Sequence, residues 1–409
     1  MTSFGLMRLP ASVVFGAGQR HSIGSTAARL GKRVLVCTDQ RLASGEILRS
    51  ILADLNRAGL TVQVFDRALP DLPVESLLDC VSSVSAFAPQ VLIGIGGGSC
   101  LDLAKAAALL LTFGGQIDAY YGEFKVPGPV LPVIAIPTTA GTGSEVTPVA
   151  VIGDSARNTK VGVSSPFLIP AAAICDPELT VSCPPALTAI SAGDALTHAI
   201  EAFTSGARQA TPELAQQHVF VGKNLFSDHF ALLAITCIWR SVRQACLNGS
   251  DLEARADLML GALAAGCAFG TAGTAAAHAI QYPVGNLTHT AHGAGVASLL
   301  PYVMEFNRPA SVRSFAQIAR AVGLSDANST DESLSHRLVD EVARLLESIG
   351  IPRTLADLGL PPDKQDWTAE SALAITRLVK NNPRPLDLQA LRQITRAAFS
   401  GDRSSLQSV

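Results

Sequence analysis

The chain of 409 residues has no C-x-x-C pair, no long apolar run, few aromatics and almost no charge imbalance, and each shortage excludes something. Its eight cysteines, Cys37, Cys80, Cys100, Cys175, Cys183, Cys237, Cys246 and Cys267, lie mostly among apolar neighbours. Such spacing excludes a zinc ribbon or a disulfide framework and reads as small buried hydrophobes in a reducing compartment, so a cytoplasmic protein is expected. The longest apolar runs, such as Ala106 to Leu111, fall well short of the roughly 18 residues a membrane span needs. Between Met1 and Gly18 the apolar stretches are broken by Gly5, Arg8 and Pro10, so no signal peptide is expected. A net charge of −3 gives no reason to expect nucleic acid or an anionic membrane as a partner. With 48% hydrophobic and 16% charged residues a large core is feasible and disorder is not expected. At about 150 residues per domain the length suggests two or three domains. There is no internal repeat and no low-complexity segment.

What is present changes character along the chain. In the first ~180 residues, β-rich runs alternate with helical stretches. Arg33 to Asp39, Thr61 to Phe65, Val91 to Gly94 and Val133 to Ile136 read as buried parallel strands. Gly45 to Ala58, Val74 to Ala86 and Leu101 to Leu111 read as the helices between them. Such alternation predicts a doubly wound α/β domain. From about Cys183 strand-like runs nearly vanish. Ala/Leu-rich helical segments take over: 189–203, 230–248, 252–268, 310–322, 333–348 and 369–380. Pro177, Pro184 and Pro185 mark the change. The reading is an α/β domain over residues 1–182 and an all-helical domain over residues 183–409.

Asp194 and His198 lie four apart in a segment with no helix breaker after Gly193, so a helix would put carboxylate and imidazole on one face. His278 and His292 add two imidazoles. Any one of these histidines alone reads as a core or surface residue. Together, one carboxylate and three neutral imidazoles suit a divalent transition metal such as Fe or Zn, and not Ca or Mg, which prefer oxygen.

The α/β half carries two loops of nucleotide-binding type. Gly94-Ile95-Gly96-Gly97-Gly98-Ser99 follows a strand and opens a helix, where glycines admit a pyrophosphate close to the backbone and the helix start offers N–H groups. Ser99 occupies the third glycine position of the dinucleotide fingerprint, and a bare glycine cluster is weak evidence by itself. Pro137 through Glu145, rich in Thr and Gly, follows the next strand and reads either as an ordinary turn or as contacts to a phosphate or ribose. Asp39 closes the first strand. An acid there can accept from ribose hydroxyls and repels a 2′-phosphate, favouring NAD over NADP; the alternative is a simple turn residue.

Taken in order, these stretches resemble the iron-containing (group III) alcohol dehydrogenases. The diagnostic pieces are Gly96-Gly97-Gly98-Ser99 with Asp102 and Lys105, then Thr138 through Glu145, Asp176-Pro177-Glu178-Leu179-Thr180, Asp194 through His198, and His278 with His292-Gly293 running into Pro301 through Asn307. The resemblance covers nearly the whole chain, from Val13-Val14-Phe15-Gly16 to the helices past Asn307. It implies a Rossmann-like N-terminal domain, a helical C-terminal domain of dehydroquinate synthase-like architecture, and a cleft holding NAD(P) and Fe(II). It implies Asp194, His198, His278 and His292 as metal ligands, with Fe(II) expected and Zn open. It further implies Asp39, Gly97, Gly98, Ser99, Asp102, Thr138, Thr139, Thr142, Lys160 and Leu179 as NAD contacts and Phe269 as a wall of the substrate pocket. A homodimer through an N-terminal strand is expected, with Ser12 to Phe15 as its edge.

Two places depart from better-known members. Four residues past His278, where they carry a second histidine thought to relay protons, stands Tyr282; its hydroxyl could replace the relay, and His289 is the other candidate, although it reads first as a solvent-facing loop histidine. The insertion-like stretch Pro212 to Asp228 and the Tyr-Pro after His278 look like the hydroxyacid-oxoacid transhydrogenase branch, where Lys223 could face a carboxylate; otherwise Lys223 and Asn224 cap a turn. The expected activity is metal-assisted hydride transfer between NAD(H) and a small alcohol, aldehyde or hydroxy acid. The rivals are a transhydrogenase with tightly bound NAD, a lyase like dehydroquinate synthase, whose metal set is poorer in histidine, and a non-catalytic binding protein. With aromatics at 5%, the sequence leaves the substrate unspecified.

Overall fold

The computed structural model describes residues 4–157 and 159–407. By internal contacts the chain divides into two compact units. The first runs from Arg8 to Cys183 and takes in Ala215–Val219; the second comprises the segment ending at Met7, Pro184–Leu214, and the chain from Phe220 onward.

The first unit holds β1 (Ser12–Phe15), β2 (Arg33–Cys37), β3 (Thr61–Phe65), β4 (Val91–Gly96), β5 (Gly122–Glu123), β6 (Val133–Pro137), β7 (Val149–Asp154), β8 (Thr159–Ser164) and β9 (Ala172–Cys175). Six of them form one sheet in the order β1-β9-β6-β4-β2-β3, every neighbour parallel. Strands β4 and β6 are buried throughout, because helices cover both faces of a parallel sheet and leave no polar side to alternate with. On one face lie α1 (Ile23–Ala28) and α3 (Glu46–Arg57), whose Ile23, Leu48, Ile51 and Leu55 pack on Val34, Val36 and Ile93. On the other lie α4 (Val74–Val84) and α5 (Gly98–Phe113), whose Leu77, Cys80 and Leu103 pack on Leu35, Cys37 and Leu92. Each fully buried leucine contributes roughly 1.5–3 kcal/mol. A four-residue helix, α2 (Gln40–Ala43), follows β2. Strands β5, β8 and β7 make a separate three-stranded sheet.

Chain order reverses between β2 and β4, and ligands of open α/β sheets bind outside the strand carboxyl ends at such a point. Gly96 pairs with Pro137 and Cys37 with Gly94, so the segments beginning at Thr38, Gly97 and Thr138 emerge side by side along this edge.

The second unit is helical. It contains α6 (Pro185–Thr204), the start of α7 (Leu214–Gln217), α8 (Leu225–Leu247), α9 (Leu252–Ala272), α10 (Ala276–Thr288), α11 (His292–Ala321), α12 (Asp331–Ser348), α13 (Gln365–Leu373), α14 (Thr376–Asn381) and α15 (Leu388–Ser400). Helix α8 is long and apolar enough by composition to cross a membrane, yet it packs against α6 and α9. The bend between α9 and α10 turns the chain by 102°. Two glycines explain how α11 approaches its neighbours. A Cβ on Gly293 would lie 2.5 Å from the carbonyl oxygen of Ile190 in α6, and one on Gly295 would fall on the amide oxygen of Gln281 in α10.

Several element limits differ from the sequence expectation. Strand β2 stops at Cys37, because Asp39 leaves the strand to cap α2. Helix α5 begins at Gly98, inside the glycine cluster. Strands β7, β8 and β9 were not expected at all. Helix α11 runs from His292 rather than from residue 310, carrying Pro301 and Pro309 inside it, and the stretch 369–380 is broken into α13 and α14.

Candidate metal centre and cofactor loops

Helix α6 presents Asp194, His198 and Glu201 on one face, at spacings of four and three. All three are buried, in a helix whose other inward residues are mostly Ala, Leu, Ile and Phe. His278 stands in the first turn of α10 and His292 at the first residue of α11. Asp194 Oδ1 lies 3.7 Å from His198 Nε2, 3.8 Å from His278 Nε2 and 3.9 Å from His292 Nε2. Ligands about 2.1 Å from a shared tetrahedral centre sit roughly 3.4 Å apart. Asp194, His278 and His292 bring one ligand atom each within 4.8 Å of one another, a slightly open arrangement for a metal ion, and His198 joins them through its approach to Asp194.

The chemistry of the set also fits a metal. Asp194 Oδ1 and His278 Nε2 are buried with no hydrogen-bond partner among the described residues, a costly arrangement for a carboxylate oxygen and an imidazole nitrogen unless a cation satisfies both. The rings of His198 and His278 stack at 4.7 Å, and Phe269 stacks on the opposite side of His198 at 4.1 Å and 17°. Phe269 is buried in α9. The Tyr282 ring lies 5.9 Å from that of His292, while His289 is exposed, in a left-handed conformation at the end of α10.

Sequence reasoning passed over Glu201, although its position one helical turn past His198 was a readable signal. Its Oε2 lies 2.7 Å from His278 Nδ1 and accepts the N–H of Ala275, and its Oε1 accepts the N–H of Ala277. Burial alone would raise its pKa, but the interaction with His278 and these N–H donors outweigh it and hold the group below the ordinary glutamate value.

In the first unit the cofactor candidates gather at the sheet's carboxyl edge. No side chain caps the start of α5, where the Cys100 and Leu101 N–H groups turn back to the Gly97 carbonyl. Gly98 has no room for a side chain: a Cβ would lie 2.6 Å from the methyl of Thr142. Beside Gly97 the nearest atom would be Thr139 Oγ1 at 3.6 Å. Thr138 is buried, with a hydroxyl that has no partner among the described residues. Asp39 uses one oxygen to accept from the Leu42 N–H at 2.8 Å and is half-buried. Leu179 is buried in the turn Pro177–Thr180.

Three further candidates also make contacts within the chain. Asp102 is buried and spends its oxygens on the Ser144 hydroxyl at 2.5 Å and the Val151 N–H at 3.0 Å, supporting the Thr/Gly loop from beneath. Ser99 Oγ accepts the N–H of Asp71, and Lys160 makes a 2.6 Å ion pair with Asp71. Asp71 and Leu72 both have positive φ, an uncommon conformation for non-glycine residues that strains this loop beside the start of α5. Below them Lys105 is fully buried and donates to the carbonyls of Thr147 and Val149. Burial pushes Lys105 down to about 8 and Glu145 up to about 7.

Lys223 donates to Asp228 at 2.7 Å and to the carbonyl oxygen of Phe203 at 2.6 Å, tying down the end of α6, and Asn224 caps α8. The structure thus accounts for this stretch by helix capping.

A parallel nucleotide-type sheet and an Asp/His/His/His cluster in a helical unit define a narrow class. The family described as iron-containing alcohol dehydrogenase matches residues 10–177, and its C-terminal counterpart, the Fe-containing alcohol dehydrogenase family, C-terminal, matches residues 188–399. The chain belongs to the iron-containing alcohol dehydrogenase family. It is 38% identical to long-chain-alcohol dehydrogenase 1 of Geobacillus thermodenitrificans, over 94% of each chain. It is 35% identical to the NAD-dependent methanol dehydrogenase of Bacillus methanolicus, over 96% of this chain and 99% of that one. A crystal structure of 1,3-propanediol oxidoreductase superposes with a TM-score of 0.90 at 32% identity, covering 97% of this chain and 100% of the other.

Proposed function

We propose that the protein is an NAD-dependent alcohol dehydrogenase with a divalent metal held by Asp194, His198, His278 and His292. The observation that carries this reading is the convergence of three imidazole nitrogens on one orphaned carboxylate oxygen, within 3.7–3.9 Å. When bound, the metal supplies Lewis acidity to an alcohol oxygen and NAD supplies the hydride acceptor. The chain's own residues do the rest. The four ligands would hold the metal, Phe269 provides a flat apolar wall against His198, Tyr282, with its ring 5.9 Å from that of His292, offers a hydroxyl for moving a proton, and His289, exposed, is the other candidate.

Gly97, Gly98 and Ser99 at the start of α5 receive the pyrophosphate, with Thr138, Thr139 and Thr142 alongside it. Asp39 takes the adenosine ribose, Leu179 packs against the adenosine portion, and Lys160 serves the nicotinamide ribose. Asp102 acts through the loop it holds. Iron is the resident metal in this reading; zinc binds the same donor set, and metal availability decides. In the chain, the change from the α/β domain to the helical domain falls at Cys183 and Pro184, one residue beyond the expected limit of 182. Eight free cysteines suit the reducing cytoplasm, a location that a disulfide in the native protein would contradict. The edge strand β1, with Val13 and Phe15 exposed, pairs two copies into a homodimer, which a monomeric mass in light scattering would contradict.

The test is NADH formation by iron-loaded protein given NAD and a panel of short and long primary alcohols, diols and hydroxy acids. Turnover with at least one alcohol is expected. A folded, metal-loaded protein that reduces no NAD with any of them, yet passes hydride to an added oxo acid, would replace this reading with transhydrogenation.

A further inference from the structure

We infer that Glu201 is a positioning residue of the metal centre: it holds the proton of His278 on Nδ1, leaving Nε2 as the ligating atom, and it fixes the start of the helix that presents this ring. The inference rests on reading Asp194, His198, His278 and His292 as ligands.

A buried carboxylate is tolerated only when its oxygens are satisfied. Glu201 is 3% exposed and is surrounded by His278 Nδ1 at 2.7 Å, the Ala275 N–H at 2.8 Å and the Ala277 N–H at 2.7 Å. An ionised carboxylate only accepts, so the imidazole nitrogen facing it must carry the proton. The other nitrogen, Nε2, then keeps its lone pair, and this is the atom that lies 3.8 Å from Asp194 Oδ1 with no hydrogen bond of its own. Metal-bound imidazoles commonly need such an outer carboxylate to set tautomer and ring angle.

The two amides give Glu201 a second task. A helix start leaves its first N–H groups without intrahelical partners, and α10 has no side-chain cap of its own. Glu201 supplies the missing acceptor from α6. The same bend is held on its carbonyl side by Asn381, which donates to the carbonyls of Ala272 and Thr274 at 2.9 and 3.1 Å. Asn381 thus clamps the bend without bonding to His278, which separates the two roles experimentally.

Glu201→Gln keeps the shape but turns one acceptor into a donor, so one of the three N–H groups must face another. Asn381→Ala loosens the bend and leaves His278 Nδ1 its acceptor. In metal-stripped protein, 15N NMR of the His278 ring should show the Nδ1–H form in wild type and in Asn381→Ala, and a mixture of forms in Glu201→Gln. Chelator competition should show metal affinity about 10–100-fold weaker in Glu201→Gln, with altered visible bands of the cobalt-substituted protein and unchanged NAD affinity. Asn381→Ala should stay within a few-fold of wild type. Equal weakening by both variants would reduce Glu201 to a clamp and overturn the inference. So would a Glu201→Gln protein with wild-type affinity, cobalt bands and tautomer. A folded, NAD-binding wild type that takes up no metal would overturn the metal reading first, and this inference with it.

Discussion

At the scale of residues, the most telling contrast is between acids that face outward to a ligand and acids that face inward to the chain. Asp194 keeps an oxygen without a hydrogen-bond partner among the described residues, Asp39 accepts from the Leu42 N–H on one oxygen and from the more distant Cys100 thiol, at 4.0 Å, on the other, and Asp102 commits both oxygens within the chain. The sequence separated these cases only in part. The Asp194/His198 pair was legible because a helix puts residues four apart together. His278 and His292 were legible as residue types, but nothing in their spacing said that two helix starts would bring them to Asp194. Asp102 reads as a cofactor contact because it travels with the glycine loop; in the fold its oxygens accept from the Ser144 hydroxyl and the Val151 N–H, which the sequence does not show. Asp39 carries a prediction at this scale. In the proposed role its carboxylate would accept from ribose hydroxyls and repel a 2′-phosphate, so Asp39→Gly should lower the NAD over NADP preference by tenfold or more, about 1.4 kcal/mol. Steady-state kcat/KM for the two cofactors measures it, and unchanged discrimination would remove Asp39 from the ribose site.

At the scale of elements, the long periodic helices and the central strands were readable, whereas elements whose signals conflict were not. Helix α11 contains two prolines, which ordinarily end a helix, yet it continues through both, and tertiary packing of its Leu299, Val303 and Phe306 outweighs the local cost. Strand β7 opens on the apolar run Val149–Ile152 but ends in Gly153 and Asp154, and β8 is interrupted by Lys160 and Gly162, so turn-type residues mask both strands. The connection between α5 and the Thr/Gly loop also carries a pH consequence. Glu145 is fully buried with its pKa raised from 4.5 to about 7. The folded state therefore favours the protonated acid. The stability this contributes is fully present below the unfolded value near 4.5 and is lost as pH rises through about 7. Lys105, lowered from 10.5 to about 8, has the opposite sense: its contribution is present above 10.5 and is lost as pH falls through about 8. Glu145→Gln should therefore flatten the pH dependence on the acidic side. Urea midpoints of wild type should fall between about pH 5 and about pH 7.5 by clearly more than those of the variant. Parallel slopes would mean that Glu145 is solvated in a way its burial does not suggest.

At the scale of the whole molecule, two units with separate cores divide the work. The change from alternating β/α to helix near Cys183 was visible in the sequence because periodicity changes there from strand-and-helix to helix alone. The gathering of the candidate metal ligands was not, since Asp194 and His292 are nearly a hundred residues apart and only folding joins them. The central claim is that this pooled set binds one metal ion and that alcohol oxidation depends on it. The direct measurement is a titration of metal-stripped enzyme with Fe(II), following bound metal and NADH formation together, in wild type and in Asp194→Ala. The account predicts activity that rises linearly to a plateau at about one ion per chain in wild type, with no bound metal and no recovery in the variant. Full activity in the stripped protein, or metal-dependent recovery in Asp194→Ala to the wild-type level, would contradict it.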